Sequence, residues 1–413
     1  MLAERYQDFM YRFVETVLKE IGPRESCSEN ERRLGRRLAD MWRGLGLDVH
    51  TERFTCNPKA FLGFIPLATL FYLLATVSYW LWPFVAFVLA AAAAAMVVLE
   101  LLRYREFVDF LFPTAEGENV IGVIRPRGEI TQRVIVSAHQ DSAYEFNLWF
   151  FLKNAAVPVN IITFIAPLVP MLGGLAKTIA GAAGHSHGFD VIGYVAMGLY
   201  PIVGLNFFFH TYSVVPGAMD DLAGVSVLAG VAQALTDARS SGAEGVPLLE
   251  HTEVRVLAVS SEEAGLRGAK RYTAAHAREL QEIPSYNINV DGVYDERHLT
   301  IVTHELFTGV HHDPRLVQLA KDITTAHGWQ VKEHMIPVGA TDATAFAQAG
   351  IASLCLLCQD ASRLVPNYHT RLDTIEHERP ASLSVMLQLV LDMIQRLDAQ
   401  AVEANRTSAA AAA

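Results

Sequence analysis

Between Ala60 and Leu99 the chain carries no charged residue. That run of about 40 positions is long enough for two membrane spans of ~20 residues each. Two further charge-free runs follow, Asn154 to Ala176 and Val191 to Phe209, of about 23 and about 19 residues, again of spanning length. Either these segments bury one another inside a large soluble core, or they enter a bilayer. Soluble cores seldom need runs so uninterrupted, so two transmembrane hairpins with four spans are expected. Tyr79-Trp80-Leu81-Trp82-Pro83 divides the first hairpin with aromatics that suit a membrane interface. Pro158, Pro167, Pro170, Gly173, Gly174, Pro201 and Gly204 interrupt the second, an interruption that membrane helices tolerate better than soluble ones. The hydrophobic fraction of 51%, the charged fraction of 19% and a mean hydropathy of +0.23 agree with a partly bilayer-exposed chain.

The remainder alternates in a different way. Leu47 to Phe54, Glu118 to Ile124, Val134 to Ser137, Val254 to Val259, Tyr286 to Val290 and Ile351 to Leu357 read as strands. Leu2 to Leu47 holds two helices around Gly22-Pro23-Arg24, and Val225 to Ala238, Gly268 to Leu280, Pro314 to His327 and Ala381 to Leu397 read as further helices. Such alternation implies an α/β fold, a mostly parallel or mixed central sheet flanked by helices. The expected division is 1–58, 104–146 and 212–399 for this domain, hairpins at 59–103 and 147–211, and a frayed tail at 400–413. A net charge of −11 with no basic stripe argues against a nucleic-acid partner. The charged, polar start at Met1 to Asp8 does not read as a cleavable signal peptide. Cys355 and Cys358 have C-x-x-C spacing but lie in a strand-like run, where residues three apart point to opposite faces. They read as core thiols. His185-Ser186-His187 reads as a loop or a metal pair, and Asn405-Arg406-Thr407 matches a glycosylation acceptor that is common by chance.

Acids and histidines fall at the C-terminal ends of successive strands, where open α/β sheets place their sites. His139 and Asp141 follow one strand, Glu262 and Glu263 another, and Asp291 a third, while Asp220 and His369 sit in turns. Two histidines with several carboxylates suit zinc or an ion of similar preference. His139 and Asp141 share a face in an extended segment, so the carboxylate is placed to orient the imidazole. Glu262 and Glu263 diverge, which allows one to bind metal while the other acts as general base on a metal-activated water. By itself the acid pair reads equally well as a helix start. Asp220, among small residues, is suited to bridge two ions ~3.5–4 Å apart.

Taken in order, His139-Gln140-Asp141, Gly217 to Gly224 with Asp220-Asp221, Glu262-Glu263-Ala264-Gly265-Leu266-Arg267-Gly268, Asp291 and Tyr368-His369-Thr370-Arg371-Leu372-Asp373-Thr374 resemble the M28 family of co-catalytic zinc aminopeptidases and carboxypeptidases. The resemblance covers the soluble parts from about Val17 to Leu397. It implies that two zinc ions are bound, His139 and Asp291 holding one and Glu263 and His369 the other, with Asp220 between them. It implies Glu262 as general base, Asp141 as the group orienting His139, and Tyr368 as a pocket residue. One departure stands out: the family often has Ser-Asp-His where this chain has Thr341-Asp342-Ala343, which leaves the substrate open.

The second hairpin leaves the chain just after Asp141 and returns just before Asp220. At ~3.3–3.6 Å per residue, the metal centre lies within a few tens of Å of the bilayer surface. A peptide lying on or emerging from the membrane is the expected substrate. Lys59, Arg103, Arg105 and Lys153 flank the spans on the catalytic side against Lys177 on the other, which places the catalytic domain in the cytoplasm. The leading expectation is a membrane-embedded dizinc aminopeptidase. The alternatives are a carboxypeptidase or amidase on N-acyl amino acids or amphipathic amides, a cyclase of the glutaminyl type, and a non-catalytic receptor or scaffold on the same fold.

Overall fold

The computed structural model describes residues 2–185, 188–241, 248–360 and 365–412, and the chain divides into two units. The first comprises Met1–Cys56, Thr114–Ala143 and Val214–Ala413; the second comprises Asn57–Pro113 and Tyr144–Ser213. Among the described residues the strands, numbered in chain order, are β1 Asp48–Cys56, β2 Ala115–Ile124, β3 Gln132–His139, β4 Tyr144–Phe146, β5 His210–Val214, β6 Thr252–Val259, β7 Ser285–Val293, β8 Leu299–Glu305, β9 Val310–His311, β10 Lys332–Ile336 and β11 Ala352–Cys358.

In the first unit a mixed sheet runs in the order β1-β2-β6-β3-β7-β11-β8-β10, with β9 paired to β8. Its centre, β6-β3-β7-β11, is parallel, and antiparallel pairs lie on either side. β3 and β6 are buried along their whole lengths, which explains why they read as continuous apolar runs. Helices Glu4–Glu20, Ala223–Ser241 and Pro380–Ala412 pack with the sheet into the largest core, which includes Met10, Leu228 and Met386. Ser28 caps helix Glu29–Gly44 by accepting from Glu31 N at 3.2 Å, and Asp313 with Pro314 opens helix Pro314–Ala326.

Two expectations are corrected here. The C-terminal helix runs on to Ala412, where a frayed tail was expected from Gln400; the alanine-rich sequence supplies the strongest helix former instead of a breaker. Strands β8, β9 and β10 and helix Asp342–Gln348 were not anticipated, because they are short and carry polar residues among the apolar ones. Cys355 and Cys358 are buried free thiols in two separate core clusters, on opposite faces of β11.

The second unit is helical apart from the short β4–β5 ladder. Helix Ala60–Leu81 ends at Trp82, and Pro83 starts the next, which runs to Met96 and continues as a wider turn to Leu102. Glu100 turns inward there and accepts from the backbone N–H groups of Phe107 and Val108, both at 2.6 Å, so the chain leaving the helix is satisfied internally. Close approach between helices depends on glycine: a β-carbon at Gly174 would lie 2.7 Å from Pro83 O and 2.9 Å from Phe87 N, and one at Gly193 would meet Tyr79 and Trp80. Gly174→Leu is therefore expected to destabilise this unit by about 1–3 kcal/mol, read from unfolding in detergent. Gly198→Ala, where nothing lies within 4 Å, leaves the transition unchanged.

Among the described residues, four helices are by length and composition long and apolar enough to cross a membrane: Ala60–Leu81, Pro83–Leu102, Asn147–Ala182 and Ala218–Ser240. The last is 94% buried, however, and is the central core helix of the first unit. The fourth expected span, Val191 to Phe209, is instead a pair of short helices, Asp190–Gly198 and Tyr200–Phe208, bent by 41°. Gly198 with Pro201 accounts for the break. Among the described residues, all exposed large hydrophobic side chains but Leu306, Phe307, Val338 and Leu372 belong to the second unit, including Trp82, Phe151, Leu172 and Phe208. Of His185-Ser186-His187, the last two residues lie outside the described ones.

Candidate metal centre

Parallel strands β3, β6, β7 and β11 deliver the site at or beyond their C-terminal ends. His139 is the last residue of β3, Glu262 and Glu263 follow β6, Asp291 lies in β7, and His369 lies in the segment after β11. Asp220 comes from the turn before helix Ala223–Ser241. That turn needs its glycines. Gly217 adopts φ +65°, and a β-carbon there would press on Ser142 and Arg24; Gly224 leaves room for the Asp221 carboxylate, which accepts from Gly224 N at 3.2 Å. The Asp220–Asp221 peptide bond is cis.

The structure brings all the expected site residues together. His139 Nε2 lies 3.0 Å from Asp220 Oδ1, and His369 Nε2 lies 3.1 Å from Asp220 Oδ2 and 3.3 Å from Glu263 Oε1. Three overlapping groups can each converge on one ion: His139, Asp220 and Asp291; Asp220, Glu263 and His369; and His139, Glu262 and Glu263. Tyr368 is half-buried, its ring centroid 4.1 Å from that of His369.

These donors fit zinc. Nitrogen and oxygen ligands each ~2.0–2.2 Å from a tetrahedral zinc lie about 3.3–3.5 Å apart, close to the separations here. The buried Oε1 of Glu263 has no hydrogen bond despite its 3.3 Å approach to His369. The electrostatics point the same way. Burial opposes protonation of both histidines, yet the facing carboxylates lift His369 to about 10 and His139 well above the usual imidazole range. Burial, with Asp220 beside it, pushes Asp291 up to about 7. Burial also works against ionisation of Asp220, but the hydrogen bonds from the two histidines hold its carboxyl below the ordinary range. Protons on the histidines thus balance charge that a divalent cation would balance in their place. Burial sets Glu262 well above the carboxylate range, against the pull of His139, and Glu263 is raised by the same burial.

Of the groups that hold these residues in place, sequence reasoning expected Asp141 beside His139 but assigned no role to Ser26, Arg24, Asp221 or Asp373. Asp141 lies 3.3 Å from His139 Nδ1, and its two oxygens also accept from Glu262 N and Glu263 N, each at 3.1 Å, so one carboxylate orients the histidine and the acid pair. Ser26 Oγ donates to it at 2.5 Å. Asp373 accepts from Met219 N at 2.8 Å and Asp220 N at 3.2 Å, and Asp221 accepts from His139 N at 3.1 Å. Fully buried Arg24 donates to Gln140 O at 2.9 Å, Pro216 O at 3.0 Å and Gly217 O at 2.8 Å, joining the turns that carry His139 and Asp220. Burial lowers its guanidinium to about 10, and Asp373 opposes that fall. Asp221 and Asp373 were legible as motif neighbours of Asp220 and His369, whereas nothing local marks Ser26. Asp141→Asn keeps the size of the side chain but weakens both attachments, and an activity loss of about 10–100-fold with the fold intact is expected, read from turnover and the thermal transition together.

At the departure noted above, Thr341 Oγ1 donates to Glu305 at 2.8 Å. Both Asp342 oxygens are buried without a hydrogen bond, and burial raises that carboxyl to about 8.

The family model for Peptidase family M28 matches residues 204–394, a stretch that holds Asp220, Glu262, Glu263, Asp291 and His369 but begins after His139. That stretch, just under half of the chain, is similar to peptidase family M28. The match supports reading the chain as a metallopeptidase, a hydrolase. No curated protein matches it. Among solved structures it is similar to BSAP, a zinc aminopeptidase from Bacillus subtilis, at 16% identity and a TM-score of 0.56, covering 95% of this chain and 94% of that one. It is similar to an aminopeptidase from Aneurinibacillus sp. strain AM-1 at 13% identity and a TM-score of 0.56, covering 95% and 94%. A glutaminyl cyclase from Bacteroides thetaiotaomicron is similar at 13% identity and a TM-score of 0.52, covering 94% and 97%. At these identities the likeness is one of fold.

Proposed function

We propose that this chain is a membrane-embedded zinc exopeptidase of peptidase family M28, an aminopeptidase, that holds two zinc ions. The observation that carries the reading is Asp220, whose two oxygens each face a different histidine Nε2, with Asp291 and Glu263 completing two separate donor groups. His139, Asp220 and Asp291 would hold one ion, and Asp220, Glu263 and His369 the other. When bound, the ions would supply Lewis-acid polarisation of the scissile carbonyl and activation of water. Glu262 would take the proton that water gives up and pass it to the leaving amine, and burial raises its carboxyl well above the ordinary range. Asp141 fixes the orientation of Glu262 through its backbone N–H, and Tyr368 borders the substrate beside His369.

Zinc analysis of the purified protein and a panel of free and N-acetylated peptides test this reading. Two zinc equivalents and hydrolysis confined to free N-termini are expected. Release of C-terminal residues, or cleavage of N-acyl amino acids, would turn the assignment to the carboxypeptidase or amidase reading. Cyclisation of N-terminal glutamine without hydrolysis would turn it to the cyclase, and less than one zinc per chain to a receptor or scaffold.

Membrane embedding is supported by the apolar exterior of the second unit, and a cytoplasmic catalytic unit by the flanking cations Lys59, Arg103, Arg105 and Lys153. Membrane-associated peptides are the proposed substrates, because only two residues separate Asp141 from Tyr144, the first residue of the inserted segment. In proteoliposomes a lipid-anchored peptide is expected to turn over faster than its soluble counterpart; equal kcat/KM for the two would remove this part of the proposal.

A further inference from the structure

Cys27 and Cys56 stand 29 positions apart in the sequence, yet their sulfurs lie 3.5 Å apart in the first unit. Both are buried, and neither is in a disulfide. Cys27 adopts φ +62°, a conformation that L side chains rarely take. The turn therefore carries a side chain where glycine would be free of strain, and that side chain points at a second thiol.

This turn is also tied to the acid pair. Ser26 donates to Asp141, which accepts from Glu262 N and Glu263 N. Cys27 N donates to Glu31 Oε2 at 2.7 Å, and the other oxygen of Glu31 accepts from Ser261 N at 2.9 Å. Cys27 Sγ lies 3.2 Å from Ser261 Oγ, directly before Glu262. Drawing the two sulfurs from 3.5 Å to the ~2.05 Å of a disulfide moves Cys27 away from Ser261 and shifts the turn that supports Asp141.

We propose that Cys27 and Cys56 are an oxidation site that closes to a reversible disulfide under a hydroperoxide oxidant, and that closure lowers turnover by displacing Ser26 and Cys27 from Asp141 and Ser261. One sulfur attacks a peroxide oxygen, the O–O bond breaks and a water or alcohol leaves, giving a sulfenic acid. The second sulfur displaces the sulfenic hydroxyl as water. The two thiols lose two electrons and two protons, and the peroxide is reduced by the same two electrons. Cys355 and Cys358 face opposite sides of β11 and provide an internal control. The disulfide itself is independent of the peptidase reading; its effect on turnover rests on it.

The full-length, zinc-loaded protein in detergent is treated with hydrogen peroxide, alkylated, digested and mapped by mass spectrometry, with turnover followed in parallel. A cross-linked Cys27–Cys56 peptide is expected, with a loss of turnover of roughly tenfold or more, restored by a phosphine reductant. Cys56→Ser is expected to keep its turnover under peroxide; should it fail to fold, Cys56→Ala replaces it and the wild-type map decides. The proposal is overturned by both thiols remaining alkylatable, by their oxidation without cross-linking, by a cross-link at unchanged turnover, or by equal loss in the Cys56 variant. A protein without peptidase turnover in either state fails the functional reading, while the peptide map still decides the disulfide.

Discussion

With Glu262 replaced by Gln, peptide turnover falls by roughly 10²–10⁴-fold while zinc content stays at the wild-type level. Geometry alone leaves two roles for this residue, because His139, Glu262 and Glu263 also form a group able to hold an ion. Two observations favour the base. His139 Nε2 already faces Asp220 Oδ1 at 3.0 Å, so its metal-facing nitrogen is committed to the Asp220 grouping. Burial also raises the Glu262 carboxyl well above its ordinary range, which favours a group that holds a proton and gives it up within one cycle. Gln has the same shape and keeps the hydrogen bond from its own N–H to Asp141, but it cannot accept the proton. Zinc analysis and turnover on one preparation separate the roles: loss of an ion from Glu262→Gln makes Glu262 a ligand, and wild-type turnover removes it from the chemistry.

Asp220→Ala is expected to have the widest effect, since it removes the one residue shared by the two Asp220 groupings. Binding at both groups is expected to weaken together, where His369→Ala would weaken one first. Saturating zinc at 100 to 1,000 times its dissociation constant stabilises the folded chain by about 2.7–4.1 kcal/mol. In the wild type, then, a strong chelator should lower the unfolding temperature and zinc should restore it; in Asp220→Ala that chelator-dependent shift should nearly vanish. A shift of wild-type size in the variant would show that Asp220 holds no ion. Arg24 and Asp373 give a useful contrast, because they hold backbone around the ligands and offer no ligand atom in any of the three groups.

Much of this site is written locally in the chain. His139, the acid pair and Asp291 each end or closely follow a run apolar enough to be a buried strand, and a parallel sheet leaves few places for charged residues at such ends. Asp220 is marked by the small residues around it. The supporting groups are less legible because their partners are distant peptide groups. Arg24 is bound to carbonyls at 140, 216 and 217, and Ser26 to a carboxylate more than a hundred residues away. The same holds for the fold: long buried strands and helices announce themselves, while β8 and β10 depend on pairing with distant partners and β9 is only two residues long. The bend between Gly198 and Tyr200 is visible as a proline and glycines, but hydropathy alone cannot tell a broken span from a straight one.

Residues 144–213 leave and rejoin the first unit at points that are fastened to each other. Val215 N donates to Ala143 O at 2.9 Å, Ser142 Oγ donates to Val215 O at 3.0 Å, and Ser142 N donates to Arg24 O at 2.9 Å. A loop tied off in this way has its closure entropy settled at the knot, so its length and internal mobility add little to the freedom of the backbone beyond it. The ends of this insertion are thus held within the first unit by the same Arg24 that joins the turns carrying His139 and Asp220.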